Sequence, residues 1–466
     1  MDFLKKVWGM FRSTATMALV IKLACCVSVF VLSMLFWWNG IIICAVLICV
    51  FIAVEASVKS IVYIIFFVNF EDYMRDEFKY ITLLMLLVCA ILYIVKKSRN
   101  EKKQFLLLVI SISVYLIYSL AVSYKTSGGQ YLALLWHLLL LFFLCNFKDD
   151  LNFKTLVYVF ISGMLTASFI GLFANAIPEL AYRTMEHRAH SELTRFSALA
   201  GNPNRLHPYV FVAINGLFVL DLKKQISSRI FIPLLAVSFG IGLATISRTF
   251  CLVVAINLVI YVGLKFWYDK KSALKQIAIV GISVLVVCVA MYNYTTANLM
   301  RIGIIEEREL VQRKEPLRQD TEAGVHPDRI AWASAEDFED PGRVEIWKRN
   351  LKEWRSSPRK IFFGHGYDSH NFGMPHTHNL YFFLLVKTGV FGVILFIFFL
   401  FALFYNMYKV KKYKFNWATL LFLVVFAVHS IFELRFPAII GFIFFYMFIF
   451  SLEKKKELNQ KSETSI

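Results

Sequence analysis

The chain has 466 residues, 58% of them hydrophobic, with a mean hydropathy of +0.62 and a formal net charge of +18. Soluble domains are about 45–50% apolar, so the composition excludes a water-soluble globular protein. In a soluble chain such a charge would fit a nucleic-acid binder, but here much of the excess lies in short loops between apolar runs, where it sets membrane orientation.

Met1 to Ser13 is basic and amphipathic, and no small-residue cleavage site follows the first apolar run. That run is therefore read as an uncleaved insertion signal. Apolar segments predict membrane helices at about 16–37, 40–54, 56–70, 79–95, 104–122, 129–145, 153–175, 207–221, 229–246, 249–267, 274–294, 378–408, 415–431 and 437–452. The piece 40–70 is interrupted by Glu55 and Lys59 and reads either as two short spans or as something less regular. The fold class is an all-α polytopic bundle. Residues 1–294 form its N-terminal part, 295–377 a large, partly helical polar loop over the site, 378–452 the C-terminal helices and 453–466 a basic tail. All eight cysteines fall within apolar runs without CxxC spacing, as small core residues do.

Charge then orients the bundle. Lys5, Lys6 and Arg12 precede the first span. Further clusters lie at Lys96–Lys103, Lys223–Arg229, Lys270–Lys275, Lys409–Lys414 and Lys454–Lys456. With the spans above, all fall on one side, which the positive-inside rule makes the cytoplasm. The opposite side receives an acidic loop around Glu71 and Asp72, a cationic loop at 176–206, a very short one at 245–249, and the large loop.

Four features on that outer side could carry chemistry. Four of the ten histidines (His365, His370, His376 and His378) fall within one short stretch, and Pro375-His376-Thr377-His378-Asn379 opens a greasy segment. An imidazole titrating near pH ~6.5 can accept a proton from a sugar hydroxyl. A zinc site and a polar cap without chemistry are the other readings, although the spacing matches no standard zinc pattern. Ser247-Arg248-Thr249 sits between two apolar runs. Its arginine either snorkels to the interface or points into a wet cavity, where it could hold a diphosphate bidentately. Asp340-Pro341-Gly342 reads as a helix start. On that helix Arg343, Trp347, Asn350, Leu351 and Trp354 share a face, so Arg343 either stacks on Trp347 or faces substrate. Gly201-Asn202-Pro203-Asn204 is a turn whose asparagines, Asn202 and Asn204, could also bond sugar hydroxyls.

In order, these features resemble those of the bacterial O-antigen ligase and polymerase family, most firmly over about 195–400. The most specific element is His378-Asn379, nine residues, then Gly389-Val390-Phe391-Gly392. The resemblance implies about a dozen membrane helices under a partly helical loop. It implies transfer of a glycan from undecaprenyl diphosphate to an acceptor sugar on the periplasmic face of the inner membrane, with neither cofactor nor metal. By the same resemblance Arg248 and Arg343 are phosphate-binding, His378 is the essential histidine, His376 its helper, and Asn379 an accessory sugar contact. Partners would be the lipid-linked glycan, a lipid A–core or growing-glycan acceptor and bilayer lipids, with no nucleic acid. A ligase is the leading expectation and a polymerase the alternative. A member that glycosylates protein, or a lipid-linked glycan transporter without chemistry, are further readings.

Overall fold

The computed structural model describes residues 14–36, 39–71, 74–96, 106–123, 129–173, 185–186, 195–200, 203–301, 343–365, 379–410, 413–414, 416–432 and 439–454. It is all-helical apart from two antiparallel pairings, each of two-residue strands. The helices are α1 (Thr14–Phe36), α2 (Asn39–Glu55), α3 (Ile61–Phe67), α4 (Arg75–Lys96), α5 (Leu106–Ser123), α6 (Gly129–Phe147), α7 (Phe153–Leu172), α8 (Pro203–Leu222), α9 (Ser228–Leu243), α10 (Arg248–Tyr268), α11 (Lys270–Ala290), α12 (Tyr292–Arg301), α13 (Arg343–Trp354), α14 (Pro358–Phe363), α15 (Leu380–Tyr405), α16 (Leu421–Phe432) and α17 (Ile439–Ser451). Each predicted span coincides with helical backbone. Six described helices are long and apolar enough to cross a membrane, and seven shorter apolar ones accompany them. The protein is thus a multi-pass membrane protein. Helix is imposed because lipid offers no partner for a free N–H or C=O.

The doubtful segment 40–70 resolves into a bent piece. α2 ends at Glu55, Ala56 takes a positive φ of 39°, and α3 follows between two short 3₁₀ turns. Glu55 is the joint: its carboxylate accepts from Tyr63 (2.9 Å) and Ser60 (3.3 Å) and pairs with Lys22 of α1. A carboxylate bonded this way can turn the chain inside an apolar bundle; an unpaired one could not.

α8 is the axis of the molecule. All its residues are buried except Asn204 and Arg205 at its start. Three polar links tie it to the turn before α10 and to α10 itself. At one end the His207 ring meets Thr245 (3.0 Å). Midway, Asn257 donates to Asn215 (2.7 Å). At the other end Asp221 accepts from Lys265 (2.7 Å), Tyr261 (2.7 Å) and Gln276 (3.2 Å). Such links fix helix register where apolar packing alone would permit sliding.

Polar contacts gather the helix ends into two layers. In one, Tyr413 bonds Asp149 (2.9 Å), Lys223 pairs with Glu453 (2.8 Å), Lys224 with Asp269 (2.9 Å), and Tyr268 bonds Asn416 (2.8 Å). Four of the predicted basic clusters, around 223, 270, 413 and 454, therefore share this basic layer. Burial and the Asp149 carboxylate together push the Tyr413 phenol up, so it stays a neutral donor.

The Asp221–Lys265 pair gives a stability prediction. Asp221→Ala leaves a buried ammonium uncompensated and should cost about 3–5 kcal/mol, whereas Asp221→Leu with Lys265→Met should recover most of it. Thermal unfolding midpoints in detergent measure both.

Candidate functional site

The other layer holds those residues singled out in the sequence that lie among the described ones. Each of the four motifs lies at the start of a helix. Asn204 is the second residue of α8, Arg248 the first of α10, Arg343 the first of α13, and Asn379 caps α15. Asn202, His376 and His378 lie outside the described residues, as does most of the large loop.

Arg248 leaves the shortest loop of the layer. Its side chain is exposed while Ser247 and Thr249 on either side are buried. The turn before it contains Ile246 at a φ of +47°, a region a β-branched residue rarely enters. Such strain persists only where the surroundings over-determine it, and three elements do so. The Phe196 N–H donates to the Ala244 carbonyl (2.9 Å), and Asn298 of α12 donates to the Leu243 carbonyl (2.8 Å). The Thr245 hydroxyl gives its proton to the Gly242 carbonyl (2.6 Å), so it accepts from His207. That makes His207 the Nε2–H tautomer. The arginine is thus presented by a stiff turn.

A packing chain runs from this turn to the start of α15. Phe250 stacks on Phe211 (5.8 Å), and Phe211 meets the edge of His429 (5.5 Å). Two residues beyond His429, the Ile431 carbonyl accepts from Asn379 Nδ2 (2.9 Å). The other end of that amide accepts from the Phe382 N–H (3.0 Å), and Asn379 is 4% exposed. Asn379 is therefore held at both ends where α15 begins.

α13 lies against the same first turns. Trp347 packs on Phe382 at 5.2 Å, with Ile346 and Asn350 buried beside it and Glu345, Lys348, Arg349 and Lys352 exposed. Of the face expected from the sequence, Trp347 and Asn350 lie on the packed side, and Trp347 finds an aromatic partner on α15. The starts of α10, α13 and α15, which bear Arg248, Arg343 and Asn379, are thus joined by continuous contacts. Helix N termini carry about half a positive charge each, so four of them with two arginines make this layer attractive to anions. Sequence reasoning missed His207, Thr245, Ile246 and Asn298, whose roles are long-range contacts that no local pattern marks.

Fold and site together define an all-helical, multi-pass membrane protein with arginine-bearing helix N termini gathered in one layer. Residues 233–397 match a family model described as O-Antigen ligase, which supports the resemblance to the O-antigen ligase and polymerase family over that segment. The matched segment runs from within α9 to within α15 and contains Arg248, Arg343, His376, His378 and Asn379. Neither the curated proteins nor the solved structures gave a match.

Of the four clustered histidines, His365 alone is described. Its N–H donates to the Val386 carbonyl of α15 (2.9 Å), and its ring is half-buried. Burial, then the neighbouring Lys360, holds its pKa below the usual imidazole range; Glu353 opposes this and Lys387 reinforces it. Glu353 is itself held below the usual carboxylate range by its bond to Lys360. The folded chain favours neutral His365 and so binds fewer protons than the unfolded chain. Stability therefore falls as pH drops below about 6.5, the ordinary imidazole value. Between pH 7 and 5 the thermal midpoint of the wild type should fall further than that of His365→Gln.

Proposed function

We propose that this protein transfers a glycan from undecaprenyl diphosphate to an acceptor sugar on the periplasmic face of the inner membrane, acting as an O-antigen ligase with lipid A–core as acceptor. The observation that carries this reading is the family match over 233–397, which contains both arginines and both outer histidines. Convergence of the Arg248 turn, α13 and the start of α15 in one layer supports it.

In this reading Arg248 and Arg343 grip the two phosphates of the donor. The acceptor hydroxyl oxygen attacks the anomeric carbon, and His378 takes the hydroxyl proton, with His376 as its helper. The bond from the anomeric carbon to the phosphate oxygen breaks, and undecaprenyl diphosphate departs with the electron pair. Direct displacement inverts the anomeric centre. Electrostatic help to the leaving group is worth about 3–4 kcal/mol per well-placed donor, and general base assistance about 100- to 10,000-fold. Asn202 and Asn204, beside the start of α8, would touch the sugar. The lipid tail would lie among the helices, whose 46 phenylalanines offer an adaptable apolar wall.

His378→Ala and Arg248→Ala should leave insertion and expression intact and abolish transfer in a purified reconstitution with a lipid-linked donor and defined acceptors. Full activity of a well-expressed Arg248→Ala protein would remove the phosphate assignment. EDTA should leave the rate unchanged; inhibition reversed by one divalent metal would revive a metal role for the histidines. Deleting the gene separates the two family activities on a glycolipid gel. Loss of a ligase strands long chains on the carrier lipid, while loss of a polymerase leaves single repeats on the core.

A further inference from the structure

α15 is broken in its interior. Gly389 has φ 64° and ψ −174°, and Gly364, which ends α14, has φ 73°. The two breaks fit into each other. A Cβ on Gly389 would collide with the Phe362 carbonyl, and a Cβ on Gly364 would collide with the carbonyl of Lys387 and the nitrogen of Gly389. Both obstacles are backbone, so neither can move aside as a side chain would. His365 adds a backbone bond to Val386 (2.9 Å). From α5, the Tyr118 hydroxyl lies 2.6 Å from the Thr388 carbonyl and 3.3 Å from the Phe362 carbonyl, so one proton bridges both elements. An added Cβ on Gly392 would collide with the Thr388 side chain at 2.2 Å and crowd the edge of the Tyr118 ring at 3.1 Å.

α14 in turn is tied to α13. Trp354 donates to the Ile361 carbonyl (3.2 Å), and Glu353 pairs with Lys360. The pair therefore touches α15 at two places, Trp347 on Phe382 and the glycine junction at 389, both in the stretch that follows His378.

We propose that Gly364 and Gly389 form a seat, clamped by Tyr118, that fixes the loop helix carrying Arg343 to the helix that opens after His378. These are positioning residues, and the proposal rests on the phosphate role assigned to Arg343 above. The seat also accounts physically for the Gly-x-x-Gly element, since Gly389 admits the loop backbone and Gly392 clears the side chain of Thr388, whose carbonyl the clamp engages. α13 has 12 residues and spans about 18 Å, so a slight rotation at the seat displaces Arg343 by ångströms.

The test uses the full-length protein with Phe362→Cys and Phe391→Cys, two rings stacked at 5.5 Å beside the seat. A short thiol cross-linker should join them in the otherwise wild-type chain and much less in the Gly389→Ala background. Each single cysteine variant controls for the native thiols. The joined protein should keep its transfer rate, because the seat stays closed. Gly389→Ala should lose about 100-fold in kcat/KM for the donor, the scale of a 1 Å misplacement, with KM for the acceptor unchanged. Tyr118→Phe, which preserves packing, should move donor kcat/KM the same way by about two- to tenfold, as one lost hydrogen bond does, at an unchanged thermal midpoint. A merely structural role would lower the yield of folded protein and leave donor KM alone. Cross-linking that Gly389→Ala does not reduce would overturn the seat. Unchanged donor kinetics in a folded Gly389→Ala protein would overturn the positioning role. Cross-linking needs no turnover, so a double-cysteine protein that joins, beside a wild-type protein that transfers no glycan, would refute the proposed function while leaving the seat standing.

Discussion

The structure depends on one constraint: within lipid, every backbone donor and acceptor must be satisfied by the chain itself. Helices meet that demand along their length but not at their ends, where four N–H groups remain free. Polar chemistry is therefore pushed to the ends, and each motif singled out in this chain opens a helix. α8, α10, α13 and α15 begin in one layer, with Asn204, Arg248, Arg343 and Asn379 at or beside their first residues. The free N–H groups and the arginines reinforce one another there. Such a layer suits an anionic ligand.

Holding such a layer in place falls to the bundle below it. α8 runs through the centre and is tied along its length, by a histidine–threonine contact, an asparagine pair and an ionic cluster. A bundle of Phe, Leu and Ile alone would pack in several nearly equivalent ways, because lipid is as apolar as the side chains. Buried polar pairs remove that freedom, since a shift of one turn would leave them unmatched. The ion pairs and tyrosine bonds of the basic layer close the other end in the same manner.

Rigidity also appears as stored strain. Ile246 occupies left-handed backbone immediately before Ser247 and Arg248, and contacts from Phe196, His207 and Asn298 keep it there. Electrostatic catalysis requires charges aimed before the reaction begins, since reorganising them during it would forfeit the gain. A stiff turn under an exposed guanidinium fits the phosphate-gripping role proposed for Arg248.

Much of this was legible in the amino-acid order. Apolar runs fixed the positions of the spans because a helix must match bilayer thickness, and four of the basic clusters meet in one layer, as expected where charge resists translocation. The Asn-Pro, Ser-Arg-Thr and His-x-His-Asn segments stood out because polar residues at the edge of a greasy run demand a reason. The segment 40–70 was only half legible, since the bonds of Glu55 to Lys22, Ser60 and Tyr63 depend on how α1, α2 and α3 pack. The clasp of His207 on Thr245, the grip of Asn298 on Leu243 and the meeting of Gly364 with Gly389 were decided by tertiary structure alone. Local pattern records what each residue prefers, whereas these contacts join residues tens of positions apart, and only the packed bundle determines which of them meet.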